Sequence, residues 1–237
     1  MNLLVVGGSG YVGGIVLPVI AQQHTLHIFD LRPPADPHWN YVAGSVDDLA
    51  ALSRAAVGMD ALLYMAMGAK EFATPEAVTT NFDVNVKGVY LALHAAHHAG
   101  IRHAVYASSM SVYAGDLMTR FFPDEEITPD ASDLYGLTKR MGEEACRSAV
   151  HAWGMTINVL RLCFPTPDER WRAETRRGTP TIATAGSDMA RALLAALDYR
   201  GGGFQAFMIS GDYENKLMNM SKAKRWLDWE PLARPAG

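Results

Sequence analysis

Leu3-Leu4-Val5-Val6-Gly7-Gly8-Ser9-Gly10-Tyr11-Val12-Gly13 is the stretch on which the fold turns. An apolar run of strand length stops at glycines, and a helix-like segment opens directly behind them. Gly8, Gly10 and Gly13 satisfy G-x-G-x-x-G, and Gly7, Gly10 and Gly13 satisfy the wider G-x-x-G-x-x-G. Such spacing supplies a tight turn, a backbone open to a pyrophosphate, and a helix N-terminus whose unpaired N–H groups face an anion. A glycine fingerprint alone is a weak signal; its place between a strand and a helix gives it weight.

Asp30 closes the next apolar run, Thr25–Asp30, at about the ~20-residue distance where a carboxylate grips ribose hydroxyls. A carboxylate there accepts from the 2'-hydroxyl of NAD and repels the 2'-phosphate of NADP, so NAD is the expected cofactor. Arg32, two residues on, keeps NADP as the alternative, since a guanidinium could reach a phosphate. Gly7, Gly10, Tyr11, Val12, Gly13, Asp30, Leu31 and Arg32 are thus the first candidate dinucleotide contacts.

Further along, apolar runs at Tyr41–Gly44, Ala61–Ala66, His103–Ser108, Thr156–Leu162 and Ala206–Ser210 alternate with helix-like segments. Those segments are Tyr11–Gln22, Asp47–Val57, Thr80–Ala99, Asp133–Trp153 and Ser187–Tyr199. Alternation of this kind predicts an α/β fold, a doubly wound parallel sheet covered on both faces, in one domain over 1–237. Two polar segments break the alternation, Gly115–Ser132 and Phe164–Ala185. In an open parallel sheet both would emerge at the carboxyl ends of strands, where ligands bind, so they are either substrate walls or solvated connections.

Composition narrows the function. At 237 residues with 49% apolar side chains, the chain can bury an ordinary globular core. A formal charge of −4 lacks the basic footprint that nucleic acid or an anionic membrane requires. No apolar run has the roughly 18 residues of a membrane span. The N-terminus reads as a first strand with no signal segment, and the two cysteines, Cys146 and Cys163, make no disulfide framework, so a cytoplasmic protein is expected.

Tyr135-Gly136-Leu137-Thr138-Lys139 places a phenol and an ammonium one helical turn apart. A nearby cation favours a phenolate and would lower its pKa toward the working range, which suggests proton handling beside a redox cofactor.

Together these motifs resemble the extended short-chain dehydrogenase/reductases, the NAD-dependent epimerase/dehydratase group. In order along the chain, the match continues through Gly44-Ser45-Val46-Asp47-Asp48, Asp60–Ala66, Asn85-Val86-Lys87-Gly88, Ser108–Tyr113, the Tyr135 motif, Leu160-Arg161-Leu162 and Ser221–Pro231. The resemblance implies that Ser109, Tyr135 and Lys139 are catalytic. Ser109 would hold the reacting oxygen, Tyr135 would exchange its proton, and Lys139 would bind the nicotinamide ribose and hold down the phenol's pKa. It also places Val46 and Asp48 near adenine, with Ala66 and Asn85 beside the cofactor, and implies a homodimer through the helices after Asn85 and around Tyr135.

Departures from the pattern bear on substrate. Ser45 stands where an aspartate is frequent, Tyr64 where a histidine is, and Phe164 where many sugar-nucleotide epimerases carry an asparagine. Little chain follows the sixth strand, leaving only small lid segments near 164–185 and 212–237. This short form resembles the uronate dehydrogenases, although the Asn-His pair associated with them after Ser109 is missing. Substrate contacts are then expected at Ser109, Met110, Phe164 and Arg172. The arginines at 170, 172, 176 and 177 either offer a fork for an anion or are neutralised by Asp168, Glu169 and Glu174 on a solvated helix.

Other signals point less far. His94, His97 and His98 share a helix but have no acidic or cysteine partner at ligand spacing, so no metal site is expected. Met65, Met67, Met110 and Met118 fit core filling better than a pocket wall, and no nucleophile elbow is present. The expectation is an NAD-dependent oxidoreductase acting on a hydroxyl or carbonyl of a small sugar or sugar acid. The alternatives are a nucleotide-sugar epimerase or dehydratase, and a non-catalytic NAD-binding regulator.

Overall fold

The protein is described here from a computed structural model that covers residues 1–69, 74–176, 178 and 180–235. Arg177, one of the candidate arginines, lies outside the described residues.

Seven strands form one sheet: β1 (Asn2–Val6), β2 (Thr25–Asp30), β3 (Asn40–Ala43), β4 (Ala61–Tyr64), β5 (His103–Ser109), β6 (Thr156–Leu162) and β7 (Phe204–Ile209). Their order across the sheet is β3-β2-β1-β4-β5-β6-β7 and every pairing is parallel, as the alternation predicts. Parallel strands buried on both faces need continuous apolar runs, which is why β1 is apolar from Leu3 to Val6 and β4 is buried throughout from Ala61 to Tyr64. Their side chains still alternate: Leu3 and Val5 enter one core, Leu4 and Val6 the other.

The helices divide accordingly. α1 (Tyr11–Ile20), α7 (Gly186–Asp198) and α8 (Ser221–Leu227) cover the first core; α2 (Leu49–Ala56), α4 (Gly88–His98) and α5 (Leu134–Trp153) cover the second. The predicted segment at Thr80 begins earlier. Thr74 caps α3 (Pro75–Phe82) by accepting from Ala77 N at 3.2 Å, with Pro75 in the first turn. A π-helical turn at Asp83–Lys87 then leads into α4. Thr-Pro is an N-cap signal that outranked the apolar periodicity. The short helix α6 (Asp168–Glu174) interrupts the segment after β6.

Chain order reverses between β1 and β4, because β2 and β3 lie to one side and β4 to β7 to the other. Loops leaving the carboxyl ends of these two strands diverge and open a crevice there. α5 closes over its far wall. It starts at Asp133, whose carboxylate accepts from Gly136 N at 2.9 Å, and stops at Gly154 in the left-handed conformation, φ 64°.

α5 lies unusually close to its neighbours at Gly142. A Cβ built there would stand 2.5 Å from the Tyr106 hydroxyl and 2.6 Å from the Asn85 carbonyl oxygen. Replacing Gly142 by Ala should therefore push α5 outward and cost about 1–3 kcal/mol, as overpacking does. Urea denaturation checks this; an unchanged midpoint would show that α5 has slack at that point.

Candidate active site

The crevice is a cleft of about 370 Å³. The glycine loop forms its floor and Asp30, Leu31, Val46, Ala66, Val84 and Tyr135 stand around it. Gly7 takes φ +84°, and a Cβ on it would fall 2.3 Å from the backbone of Ala66, so only glycine lets β1 turn this close to β4. Gly10 begins α1 without a side-chain cap, leaving the first-turn N–H groups to the cleft. At Gly13 an added Cβ would meet the Gly8 carbonyl oxygen at 2.0 Å. The Asp30 carboxylate accepts from Ser9 N at 3.0 Å and from Arg32 N at 3.1 Å, which fixes it at the rim between the loop and β2. This is a cradle shaped for a dinucleotide. Tyr11 Oη donates to the Pro165 carbonyl at 3.2 Å, tying the glycine loop to the segment after β6.

Asp48 and Asn85, expected beside the cofactor, are turned to other work. The Asp48 side chain caps α2, accepting from Ala51 N at 2.9 Å, and Asn85 is wholly buried. Asn85 accepts from Gly68 N at 3.1 Å and donates to Asn81 Oδ1 at 2.9 Å and Thr138 Oγ1 at 3.0 Å. It holds the β4 loop, α3 and α5 together, so its influence on the cleft passes through backbone position. Arg32 enters through its backbone: its N–H donates to Asp30, and its carbonyl accepts from Ser9 Oγ at 2.7 Å.

Tyr135 lines the cleft from the first turn of α5, and Ser109 stands behind the lining at the end of β5. Ser109 is near enough to Tyr135 to draw the phenol's pKa down. Ser109 Oγ also accepts from Ser111 N at 3.1 Å. Lys139 lies one turn along, 3% exposed; its ammonium donates to the Ala107 carbonyl at 2.9 Å and stands 6.0 Å from the Tyr135 ring centre and 5.0 Å from that of Tyr106. The three predicted residues therefore converge, but the electrostatics differ from expectation. Burial pushes the Tyr135 phenol above the ordinary tyrosine range, opposed by Ser109, and burial lowers Lys139 to about 8. Desolvation penalises the charged form of each group and is the largest influence on both.

The expected substrate contacts separate. Met110 is fully buried within the first core and cannot touch a ligand there. Phe164 directly follows the buried Cys163 at the end of β6, 54% exposed, with φ 40°. A bulky side chain in the left-handed region is strained, a condition that recurs at ligand sites. Arg172 lines a separate cavity of about 660 Å³ with Arg176, Asp188 and Arg191, and the linings of the two cavities share no residue. Part of the arginine segment is neutralised locally, since Arg170 pairs with Glu174 at 2.6 Å, while Asp168 caps α7 by accepting from Ser187 N at 2.9 Å.

Sequence reading missed a buried ionic cluster behind Lys139. Arg161, with no exposure, forks onto Glu143 through Nε at 3.0 Å and Nη2 at 2.8 Å, and Ser108 Oγ donates to the same carboxylate at 2.7 Å. An arginine between two leucines in a buried strand was the available signal. Among the described residues, no three His, Cys, Asp or Glu side chains group as metal ligands. His94 instead stacks on His98 at 4.0 Å and His97 on Trp153 at 5.1 Å between ring centres. No helix among them is long and apolar enough to cross a membrane.

A glycine cradle with a rim carboxylate, joined to a serine, tyrosine and lysine at the next strand, matches a known group of proteins. The chain belongs to the NAD dependent epimerase/dehydratase family, whose model matches residues 3–174. It is similar to the N-acetyl-alpha-D-glucosaminyl-diphospho-ditrans,octacis-undecaprenol 4-epimerase of Escherichia coli O157:H7, 28% identical over 62% of this chain and 43% of that protein. It is also similar to the uronate dehydrogenase of Pseudomonas putida, 25% identical over 70% of this chain and 62% of that one. The chain thus spans less than two thirds of the length of either relative. A short-chain dehydrogenase/reductase superfamily protein from Agrobacterium tumefaciens, solved with bound NAD, shares the fold. Its TM-score is 0.79 at 24% identity, over 98% of this chain and 93% of that one.

The raised phenol can be tested without substrate. In a spectrophotometric pH titration at the tyrosinate band, the difference between wild type and Tyr135→Phe should show no phenolate within the ordinary tyrosine range. A phenolate appearing there or below would mean that Lys139 dominates over burial in the free protein.

Proposed function

We propose that the protein is an NAD-dependent oxidoreductase that acts on a hydroxyl or carbonyl of a small sugar or sugar acid. The observation that carries the reading is Tyr135 at the wall of a cleft whose floor is a dinucleotide cradle, with Ser109 at the carboxyl end of β5 close enough to act on its phenol. Gly7, Gly10, Tyr11, Val12, Asp30, Leu31, Val46 and Ala66 would hold NAD, which supplies the acceptor or donor of a hydride. Asp30, with its orientation held by two backbone N–H groups, favours a ribose carrying a free 2'-hydroxyl.

In the oxidative direction Ser109 binds the substrate hydroxyl and Tyr135 takes its proton; in the reductive direction Tyr135 returns a proton to the carbonyl oxygen. The Lys139 ammonium below them favours the phenolate as it forms. Oxidation therefore needs Tyr135 deprotonated, so its rate should climb with pH, whereas reduction needs the neutral phenol and should be favoured at lower pH. Phe164, exposed beside the β5 and β6 ends, and Ser109 are the substrate-side contacts of this reading; Arg172, in its separate cavity, is not among them.

Similarity to a uronate dehydrogenase supports a free sugar or sugar acid. Similarity to a 4-epimerase keeps a nucleotide-sugar epimerase as the second reading. The exposed Tyr90 and Met141 on α4 and α5 support a homodimer through those helices, and the two buried, unbridged cysteines support a reducing cytoplasm.

The experiment is incubation with NAD and a panel of uronates, free aldoses and nucleotide sugars, following NADH absorbance and product by NMR. The proposed dehydrogenase accumulates NADH with a uronate or aldose. A new sugar without NADH would establish the epimerase reading, and binding of NAD without turnover the regulatory one. Tyr135→Phe should lose turnover by about 10²-fold or more and keep its NAD affinity. NAD should bind at least about tenfold more tightly than NADP, a difference of about 1.4 kcal/mol, and calorimetry that finds equal affinities would overturn the role given to Asp30.

A further inference from the structure

Lys139 and Glu143 lie one turn apart on α5, and both are removed from solvent. Glu143 is immobilised by three hydrogen bonds from two side chains. Arg161 of β6 forks onto both carboxylate oxygens, and Ser108 of β5 donates to Oε1. Arg161 is anchored in turn, since its Nη1 donates to the Tyr113 hydroxyl and to the Glu125 carbonyl at 3.3 Å. The cluster thus joins β5, β6, α5 and the segment between Tyr113 and Glu125 around one carboxylate. Ser108 is also the neighbour of Ala107, whose carbonyl receives the Lys139 ammonium.

Charge makes the arrangement unusual. Glu143 is ion-paired with the buried Arg161, and from one turn along α5 its charge also acts on the buried Lys139. The other ionisable groups facing them are Tyr106 on β5, Tyr113, Tyr135 and Cys146, with Glu125 across the cluster. Burial raises Tyr106, Tyr113, Tyr135 and Cys146, which keeps them neutral, and raises Glu125, whose carboxylate accepts from Met208 N at 2.9 Å. A buried Arg–Glu pair contributes little net stability over apolar side chains of the same size. Its place directly behind Lys139 points to a service rendered to that residue.

We propose that Glu143, clamped by Arg161 and Ser108, is a positioning residue: its carboxylate is the fixed counter-charge that keeps the Lys139 ammonium protonated and seated behind Tyr135. The inference rests on the reading of Tyr135 and Lys139 as the proton-handling pair. Through Lys139, Glu143 would set the upper pH limit at which the cleft retains its positive charge. The direction follows from the physics: burial lowers Lys139 to about 8 and Glu143 opposes that fall, so removing the carboxylate lowers it further.

The test is an NMR pH titration of lysine-labelled full-length protein, with the Lys139 signal assigned by its loss in Lys139→Met. The variant pairs Glu143→Leu with Arg161→Met, which removes both charges together and so avoids stranding Arg161 in the core. The Lys139 midpoint should fall by about one pH unit or more, and NAD affinity, followed by tryptophan fluorescence, should begin to weaken at correspondingly lower pH. Glu143→Gln, close in size, should show the same displacement and serves if the double variant repacks poorly. An unmoved Lys139 midpoint in a folded variant would overturn the proposal and leave the cluster a structural one. The two readings fail separately: a displaced midpoint in a protein that turns over no sugar would retain the electrostatic clamp and reject the oxidoreductase.

Discussion

The seating of α5 on β5 is the constraint on which the rest of the site depends. Tyr135 faces the cleft because the helix behind it descends against the sheet, and it can descend because Gly142 leaves room for the Tyr106 hydroxyl and the Asn85 carbonyl. Lys139 then reaches the Ala107 carbonyl near the carboxyl end of β5, while Thr138 accepts from Asn85 of the neighbouring helix pair. A helix held farther away would carry Tyr135 out of contact with Ser109. The chemistry proposed for this protein is therefore a matter of how closely two elements pack, and the glycine that permits the approach has no chemistry of its own.

The same logic governs the other half of the cleft. Gly7 lets β1 turn against Ala66 of the β4 loop, which brings the α1 N-terminus over the point where strand order reverses. Asp30 is presented at that point by Ser9 and Arg32, both through backbone N–H groups. A helix end suited to an anion and the carboxylate proposed to accept ribose hydroxyls thus sit on opposite sides of one turn. The two halves meet at a single crevice because parallel β-α-β connections place every strand's carboxyl end on the same edge.

How much of this could be read from sequence depended on the range of the interaction. The strands were legible because buried parallel strands must be continuous apolar runs, and the glycine loop and Tyr135 motif because their spacing is local. Asp48 illustrates the limit: an aspartate before Leu49 is an N-cap by rule, but resemblance placed it at adenine. Met110 sits beside Ser109 in sequence, yet the short helical turn after β5 rotates it into the core. The aim of Arg172 depended on how a seven-residue helix is turned between α7 and the C-terminal segment, which no local pattern determines. Glu143 was hidden for the opposite reason. A glutamate in a charged stretch of helix reads as solvent-facing until β6 supplies the arginine that buries it.

A crystal structure of the NAD complex would test the central claim, that one cleft joins the dinucleotide cradle to the tyrosine that handles the proton. The account predicts the adenosine end beside Asp30 and Val46 and the nicotinamide end beside Tyr135 and Ser109. A dinucleotide bound with its nicotinamide directed away from Tyr135, or bound outside this cleft, would contradict it.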